Sequence, residues 1–271
     1  MANLIKSDLL RILKDKLFLV VSVIAVAFAI ITPLMNYGLL WLFDLIGEEG
    51  LGLMLFNAKT MFFSAFLPGN NVGLILPILV LAILCKDFNH GTIRNKIING
   101  ETRTKIFFSM YISCATVITG IILAYAFLTL GVSLTLVEYQ ATPFTAADFG
   151  YLVLSVLFEI LVYLAISAIA CFICVLTRNT GLCIVLYIGA SLFFSIVGSI
   201  VQVVVIFATP GDSAYWLVEF LNYANIFTST LIGSADSYSF KEVVYAVLPS
   251  ILQIGTFLGL GILTFSKKDL K

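Results

Sequence analysis

Few residues in this chain have side chains suited to chemistry, and most of them lie in apolar runs. Cys171 and Cys174 form a C-x-x-C pair, a spacing found in redox and metal sites. Their apolar helical surroundings favour thiols that fill the protein core instead. His90 is the only histidine, which excludes zinc sites built on several histidines. We therefore predict no catalytic residue, no metal site and no cofactor bound by this chain.

Glu159 is the clearest ionisable residue inside an apolar run, L-V-L-S-V-L-F-E-I-L-V-Y-L-A-I-S-A. A carboxyl group within a membrane span is costly and is expected to face protein or a water-filled cavity. Tyr163, one helical turn later, is a candidate hydrogen-bond partner. Two interpretations stay open. Glu159 and Tyr163 form part of a translocation path, or they make an interhelical hydrogen bond that fixes packing.

Several motifs of soluble and membrane enzymes are absent from the sequence. The chain has no G-x-x-x-x-G-K-[ST] phosphate loop, so we do not expect it to hydrolyse ATP in the P-loop manner. It also lacks H-E-x-x-H and G-x-S-x-G, which argues against a membrane-embedded hydrolase. The sequence thus predicts a protein that is not an enzyme by itself.

The composition predicts the kind of fold that must position these residues. The chain has 271 residues, of which 61% are hydrophobic and only 11% are charged. Soluble domains carry roughly 25% charged residues. A soluble protein with as few charged residues as this chain could not cover its apolar surface. We predict an all-α integral membrane protein, with residues 1–271 forming a single transmembrane domain.

Six apolar segments are long enough, or nearly long enough, to cross a bilayer, which takes about 20 residues. They are Leu17–Phe43, Val72–Cys85, Ile106–Val137, Phe149–Thr177, Gly181–Ala208 and Val243–Phe265. With the amino terminus inside, thirteen of the fifteen Lys and Arg residues lie on the cytoplasmic side, and only Lys59 and Lys241 lie outside. The positive-inside rule therefore places both termini in the cytoplasm.

Two kinds of segment flank the six spans. Residues 1–16 place Ile5, Leu9, Ile12 and Leu13 on one helical stripe, which predicts an amphipathic helix lying along the inner membrane surface. The outer segments 44–71 and 209–242 are rich in apolar and aromatic residues. This composition favours the membrane interface or a re-entrant hairpin over a free loop.

The polar segment 86–105 between the second and third spans holds five basic residues. Ile93, Ile97 and Ile98 recur at helical spacing, which predicts a short amphipathic helix at the inner face. Asn99-Gly100 marks its end, and Thr102 is suited to begin the next helix. A short helix joined to two spans would pass a partner's movement into the membrane.

The stretch F-N-H-G-T-I-R-N-K-I-I-N-G-E-T-R-T-K-I-F-F-S-M-Y resembles the corresponding segment of type-2 ABC exporter permeases. Gly91, Thr92, Ile93 and Arg94 match the G-T-I-R of that family, and Arg103 matches a later basic position. The amphipathic amino-terminal helix, the six spans and the aromatic outer segment extend the resemblance along most of the chain. The chain departs from the pattern at Asn89 and His90, where many relatives carry acidic residues.

This resemblance implies a permease subunit in a bacterial cytoplasmic membrane, with ATP and Mg²⁺ bound by separate cytoplasmic ATPase subunits. The residues implied to couple to the ATPase are His90, Gly91, Thr92, Ile93, Arg94 and Ile97. Two permeases, identical or related, would form the pathway within membrane lipid, without a nucleic-acid partner. Size and hydrophobicity resemble permeases for bacitracin resistance or lantibiotic immunity, which suggests an antimicrobial peptide as the substrate.

Two other functions fit the sequence. One is a channel or secondary transporter that works without ATP, and the other is a membrane scaffold or sensor subunit. The absence of an evident internal repeat argues against a transporter built from two repeats in one chain. Retention of an ATPase after extraction in mild detergent distinguishes an exporter permease from both alternatives.

Overall fold

The computed structural model describes residues 1–47, 56–139, 145–207, 215–225 and 240–267. Within these ranges the chain forms ten α-helices and no strand. The helices are α1 (Ala2–Lys14), α2 (Lys16–Leu45), α3 (Ala58–Ala65), α4 (Asn71–Asn89), α5 (Thr92–Ile98), α6 (Arg103–Leu136), α7 (Ala146–Thr177), α8 (Thr180–Phe207), α9 (Tyr215–Ala224) and α10 (Phe240–Lys267).

Six of these helices, α2, α4, α6, α7, α8 and α10, are long and apolar enough to cross a membrane. The prediction of an all-α protein with six spans is confirmed. The second span is longer than its apolar run Val72–Cys85, because α4 continues through the polar residues as far as Asn89. It reaches 19 residues although Pro77 lies inside it.

Five of the six long helices divide into central and peripheral members, and α6, with 39% of its most apolar stretch buried, is intermediate. In the most apolar stretches of α4 and α7, 61% and 67% of the residues are buried, against 17% to 22% in α2, α8 and α10. The peripheral helices expose many large apolar side chains, such as Phe193 and Leu263. Lipid is the natural covering for such surfaces, so α4 and α7 form the centre of the bundle and α2, α8 and α10 its lipid-facing sides.

A single apolar core joins most of the helices. α7 packs against α10, α6, α4 and α8, while α6 packs against α2 and α1. The main core cluster takes side chains from the short helices as well, including Ile12 of α1, Phe62 of α3 and Ile93 of α5. The short helices α1, α3 and α5 are therefore part of the packed bundle.

The two predicted outer segments form short helices where the structure describes them. In segment 44–71, α3 packs against α6 and buries Phe62 and Phe66 completely. In segment 209–242, α9 packs against α8 and α10. The parts of these segments within 48–55, 208–214 and 226–239 lie outside the described residues, so the re-entrant hairpin stays a prediction.

Candidate functional site

One end of the bundle gathers the elements that were predicted to lie on one side of the membrane. Arg103, at the start of α6, donates hydrogen bonds to the carbonyl oxygens of Phe265 (3.2 Å) and Ser266 (2.8 Å) at the end of α10. The amide of Asn89 donates to the hydroxyl of Thr180 across 3.4 Å, which joins α4 to α8. We call this the basic end, and the end that carries α3 and α9 the opposite end.

Asp8 of α1 is the centre of a buried polar contact at the basic end. Its side chain is only 4% exposed. Lys96 of α5 donates to Asp8 Oδ1 through its ammonium group, and Ser109 Oγ of α6 donates to Asp8 Oδ2 at 2.7 Å. Burying a carboxylate is costly unless it is paired and hydrogen-bonded, and both conditions are met here. Asp8 thereby links three helices.

Two further ion pairs connect the same end of the chain to α4. Arg11 donates from Nη1 and Nη2 to the two carboxylate oxygens of Asp87, a forked arrangement that fixes both position and orientation. Lys86 Nζ donates to Asp15 Oδ2 at 2.8 Å, just beyond the end of α1. We refer to Asp8–Lys96, Arg11–Asp87 and Asp15–Lys86 together as the ion-pair clamp.

The ion-pair clamp gives α1 contacts that its apolar stripe did not predict. The sequence predicts a helix that lies along the membrane surface with Ile5, Leu9, Ile12 and Leu13 facing one way. In the structure Ile12 is fully buried against the bundle, but Leu13 is 41% exposed and the polar Asp8 is buried instead. α1 is docked on α6 and α2, and the ion pairs and Ile12 hold it there. That this docked helix also lies along the inner membrane surface stays a prediction.

The corner between α4 and α5 has the backbone geometry that the sequence suggested. His90 ends α4, and its N–H donates to the carbonyl of Lys86 at 2.8 Å. Gly91 then adopts φ +69°, a left-handed conformation that glycine accepts without the penalty of a Cβ. Thr92 begins α5 directly after this turn.

The predicted end of α5 and start of α6 are confirmed. Asn99 caps α5, and Gly100 has φ +88°. The Thr102 hydroxyl then accepts a hydrogen bond from the Lys105 N–H at the start of α6.

The sequence predicts that the isoleucine side of α5 contacts a partner, but a different side of this helix is exposed. Ile93 is 2% exposed and lies in the main core, and Ile97 packs partly against the same core. These isoleucines were expected to present the docked apolar face, and for Ile93 this is corrected: the side chain is covered by its own bundle. The residues that α5 and its preceding corner expose are His90, Arg94, Asn95 and Ile98, which we call the exposed face of α5.

Glu159 and Tyr163 are both buried on α7, at 5% and 0% exposure. Tyr163 Oη donates to the carbonyl of Phe66 at 2.9 Å, which fixes the connection between α3 and α4. Among the described residues no hydrogen bond joins Tyr163 to Glu159, so the predicted pairing of these two side chains is corrected. The path interpretation of Glu159 stays a prediction.

The five cysteines are all free and buried, and three of them converge. Cys85 of α4, Cys174 of α7 and Cys183 of α8 place their sulfur atoms within 4.8 Å of one another. Cys85 Sγ and Cys174 Sγ are 3.2 Å apart. We call these residues the cysteine trio. The sequence pattern had pointed only to the C-x-x-C pair, and Cys171 of that pair is outside the trio.

Comparison with known families identifies the family to which most of the chain is similar. Residues 70–271 match the family described as "Protein of unknown function (DUF2705)". The matched range contains the corner between α4 and α5, Glu159, Tyr163 and the cysteine trio, but not α1. No curated protein matches the chain.

Proposed function

The chain belongs to the DUF2705 family of proteins of unknown function, and we propose that it is the membrane-spanning permease subunit of an ATP-driven exporter. In this proposal the basic end faces the cytoplasm of a bacterial cell, and α5 docks on a separate ATPase. ATP and Mg²⁺ would bind to that partner, since this chain lacks the phosphate loop.

The observation that supports this proposal best is the attachment of α5 to the bundle. Lys96 ties it to α1, Ile93 fixes it in the core, and its two ends continue through short corners into α4 and α6. Arg11 and Lys86 hold α1 and α4 together in turn. A push on the exposed face of α5 would therefore move α1, α4 and α6 together, as a coupling helix must.

The exposed face of α5 suggests the character of the partner's groove. Arg94 offers a cation, Asn95 an amide, and Ile98 an apolar side chain that is 71% exposed. Arg94 and Ile98 are four residues apart and share one side of the helix. A groove with a carboxylate near an apolar depression would match this pair.

The apolar packing inside the bundle suggests where a substrate would pass. The core that joins the helices is built mainly from apolar side chains, and α2, α8 and α10 present apolar surfaces outward. A path between two permeases, identical or related, fits this arrangement better than a path through one chain. An amphipathic substrate such as an antimicrobial peptide would suit such a boundary.

Co-purification tests the proposal. The full chain, expressed with its neighbouring genes and extracted in mild detergent, is expected to retain an ATPase. The double variant Arg94→Glu/Ile98→Asp is expected to lose it, because a reversed charge and a buried carboxylate would enter the groove. Lys14→Glu is the matched control: it reverses an exposed charge at the same end but away from α5, and it should retain the ATPase.

Two results would contradict the proposal. One is a chain that purifies without an ATPase and transports its substrate in vesicles regardless of ATP, which would favour a channel or secondary transporter. The other is loss of the ATPase in Lys14→Glu together with its retention in the double variant. The latter result would indicate that the ATPase docks on α1 and not on α5.

A further inference from the structure

The cysteine trio is built as a ligand set. Its three residues come from three different helices, α4, α7 and α8, and each is fully buried. Metal–thiolate bonds of about 2.3 Å place the sulfur atoms of a trigonal site about 4 Å apart. The sulfur atoms of Cys85 and Cys174 are 3.2 Å apart and all three lie within 4.8 Å of one another, so these distances bracket that spacing. Small side-chain rotations would bring all three to bonding distance of one ion.

The number and type of the ligands indicate which ion fits. Soft thiolates select Cu(I), zinc or iron–sulfur clusters. Structural zinc sites take four ligands, yet within the described part of the chain no fourth Cys, His, Asp or Glu joins the trio. His90, the only histidine of the chain, is exposed at the corner before α5. Three sulfur ligands without a fourth group suit Cu(I), which is stable with three thiolates.

We propose that Cys85, Cys174 and Cys183 bind one Cu(I) ion. Each thiol that becomes a ligand releases its proton to solvent as the copper–sulfur bond forms, so that proton release accompanies binding. Copper enters and stays as Cu(I), so no electron is transferred. The inference is independent of the exporter proposal, because it rests only on the positions of the three sulfur atoms.

The trio lies close enough to the basic end for an ion to reach it. Cys85 is four residues before Asn89, the exposed last residue of α4. Cys174 is four residues before Arg178, which ends α7 in a left-handed conformation, and Arg178 N–H donates to the Cys174 carbonyl at 2.9 Å. Cys183 is in the first turn of α8. The site is therefore about one helical turn below the surface.

Anaerobic loading of the full chain tests the site. The protein in detergent, kept reduced, is mixed with Cu(I) and then dialysed against a Cu(I) chelator. We expect about one copper to remain per chain, with X-ray absorption showing three sulfur neighbours and no nitrogen or oxygen neighbour. Cys174→Ser is expected to lose the copper. Cys114→Ser, which removes another buried thiol outside the trio, is the matched control and should keep it.

The wild-type spectrum decides the matter even if Cys174→Ser fails to fold. Failure of the wild type to retain copper would overturn the site, as would a shell of nitrogen or oxygen neighbours. Equal copper in wild type and in a folded Cys85→Ser/Cys174→Ser/Cys183→Ser variant would show binding elsewhere. Retention of Zn(II) but not Cu(I) under the same competition would overturn the choice of ion.

Discussion

The two ends of the bundle are held together by different interactions. At the basic end, the ion-pair clamp joins α1 to α4 and α5, with carboxylates of Asp8 and Asp87 that are almost completely buried. At the opposite end, aromatic rings pack together instead. The ring centroid of Phe62 in α3 lies 5.2 Å from that of Phe66 and 5.5 Å from that of Phe127 in α6. Ion pairs fix particular partners, whereas apolar packing depends on shape, so the two ends should respond differently to substitution.

The largest effect is expected from Arg11→Ala at the basic end. The substitution leaves the buried Asp87 carboxylate without its forked partner, and an uncompensated buried charge typically costs about 3–5 kcal/mol. We expect the free energy of unfolding to fall by about 3 kcal/mol, because Arg11 itself is partly exposed. Unfolding by SDS in mixed micelles measures this change.

The double variant Arg11→Met/Asp87→Leu is the matched control for that prediction. Replacing both partners of a buried pair by apolar residues of similar size is often close to neutral. The double variant should therefore recover most of the loss. A double variant that is less stable than Arg11→Ala would show that the pair itself, and not the unpaired charge, governs stability.

At the opposite end, Gly73→Ala is expected to destabilise the fold through steric overlap, without any change of charge. A Cβ on Gly73 would lie 2.2 Å from the carbonyl oxygen of Leu67 and 2.8 Å from Tyr163 Oη. Overpacking of this kind costs about 1–3 kcal/mol. The same SDS titration measures it, and the loss should not change between low and high salt.

Gly131→Ala in α6 is the matched control for Gly73→Ala. No side chain or neighbouring helix lies within 4 Å of a Cβ placed there, so the substitution should keep or raise stability, by up to about 1 kcal/mol. Equal losses for the two variants would mean that glycine flexibility, and not contact with Leu67, matters at this end.

The parts of this architecture that the sequence could predict are local ones. The six spans follow from runs of apolar residues, and the end of α5 at Asn99-Gly100 and the start of α6 at Thr102 follow from cap chemistry within a few residues. Asp8 also left a local signal, since a carboxylate beside Ile5 and Ile12 interrupts the apolar stripe of α1.

The remaining features depend on contacts between distant residues. Asp8 and Lys96 are 88 positions apart, and Cys85 and Cys174 are 89 apart, so their meeting depends on how long helices align. Periodicity correctly marked Ile93 as part of an apolar face. It could not tell whether that face is covered by the chain itself or by a partner, and in the structure the chain covers it.

A smaller, pH-dependent effect is expected from Asp15→Asn. Burial raises the pKa of Asp15. Hydrogen bonds from Lys86 and the Leu17 N–H, together with the charges of Lys86 and Arg11, lower it by more, so the pKa lies below its ordinary value of 3.8. The pair therefore stabilises the fold above that ordinary value, and the stabilisation is lost as the pH falls through the lowered pKa.

The measurement for Asp15→Asn is a comparison of unfolding free energies with the wild type across pH. At pH 7 the variant should be less stable by about 1 kcal/mol or less, as for other partly exposed pairs. The difference should shrink as the pH is lowered toward 3. A difference that stays constant across this range would show that the charge of Asp15 does not contribute to stability, since Asn keeps an oxygen that can accept from the Leu17 N–H.

The smallest effect is expected from Lys241→Ala at the opposite end, where Lys241 pairs with Glu219. The hydrogen bond with Glu219 raises the pKa of Lys241, yet its side chain is 51% exposed, so solvent screens the pair and stability should hardly change. Lys96→Ala makes the same change at the basic end, where it leaves Asp8 buried beside Ser109, and it should cost about 2 kcal/mol. Because the two substitutions remove the same side chain, unequal losses measured in one SDS titration would assign the difference to burial of the partner carboxylate. Equal losses would mean that the two ends are held in the same way after all.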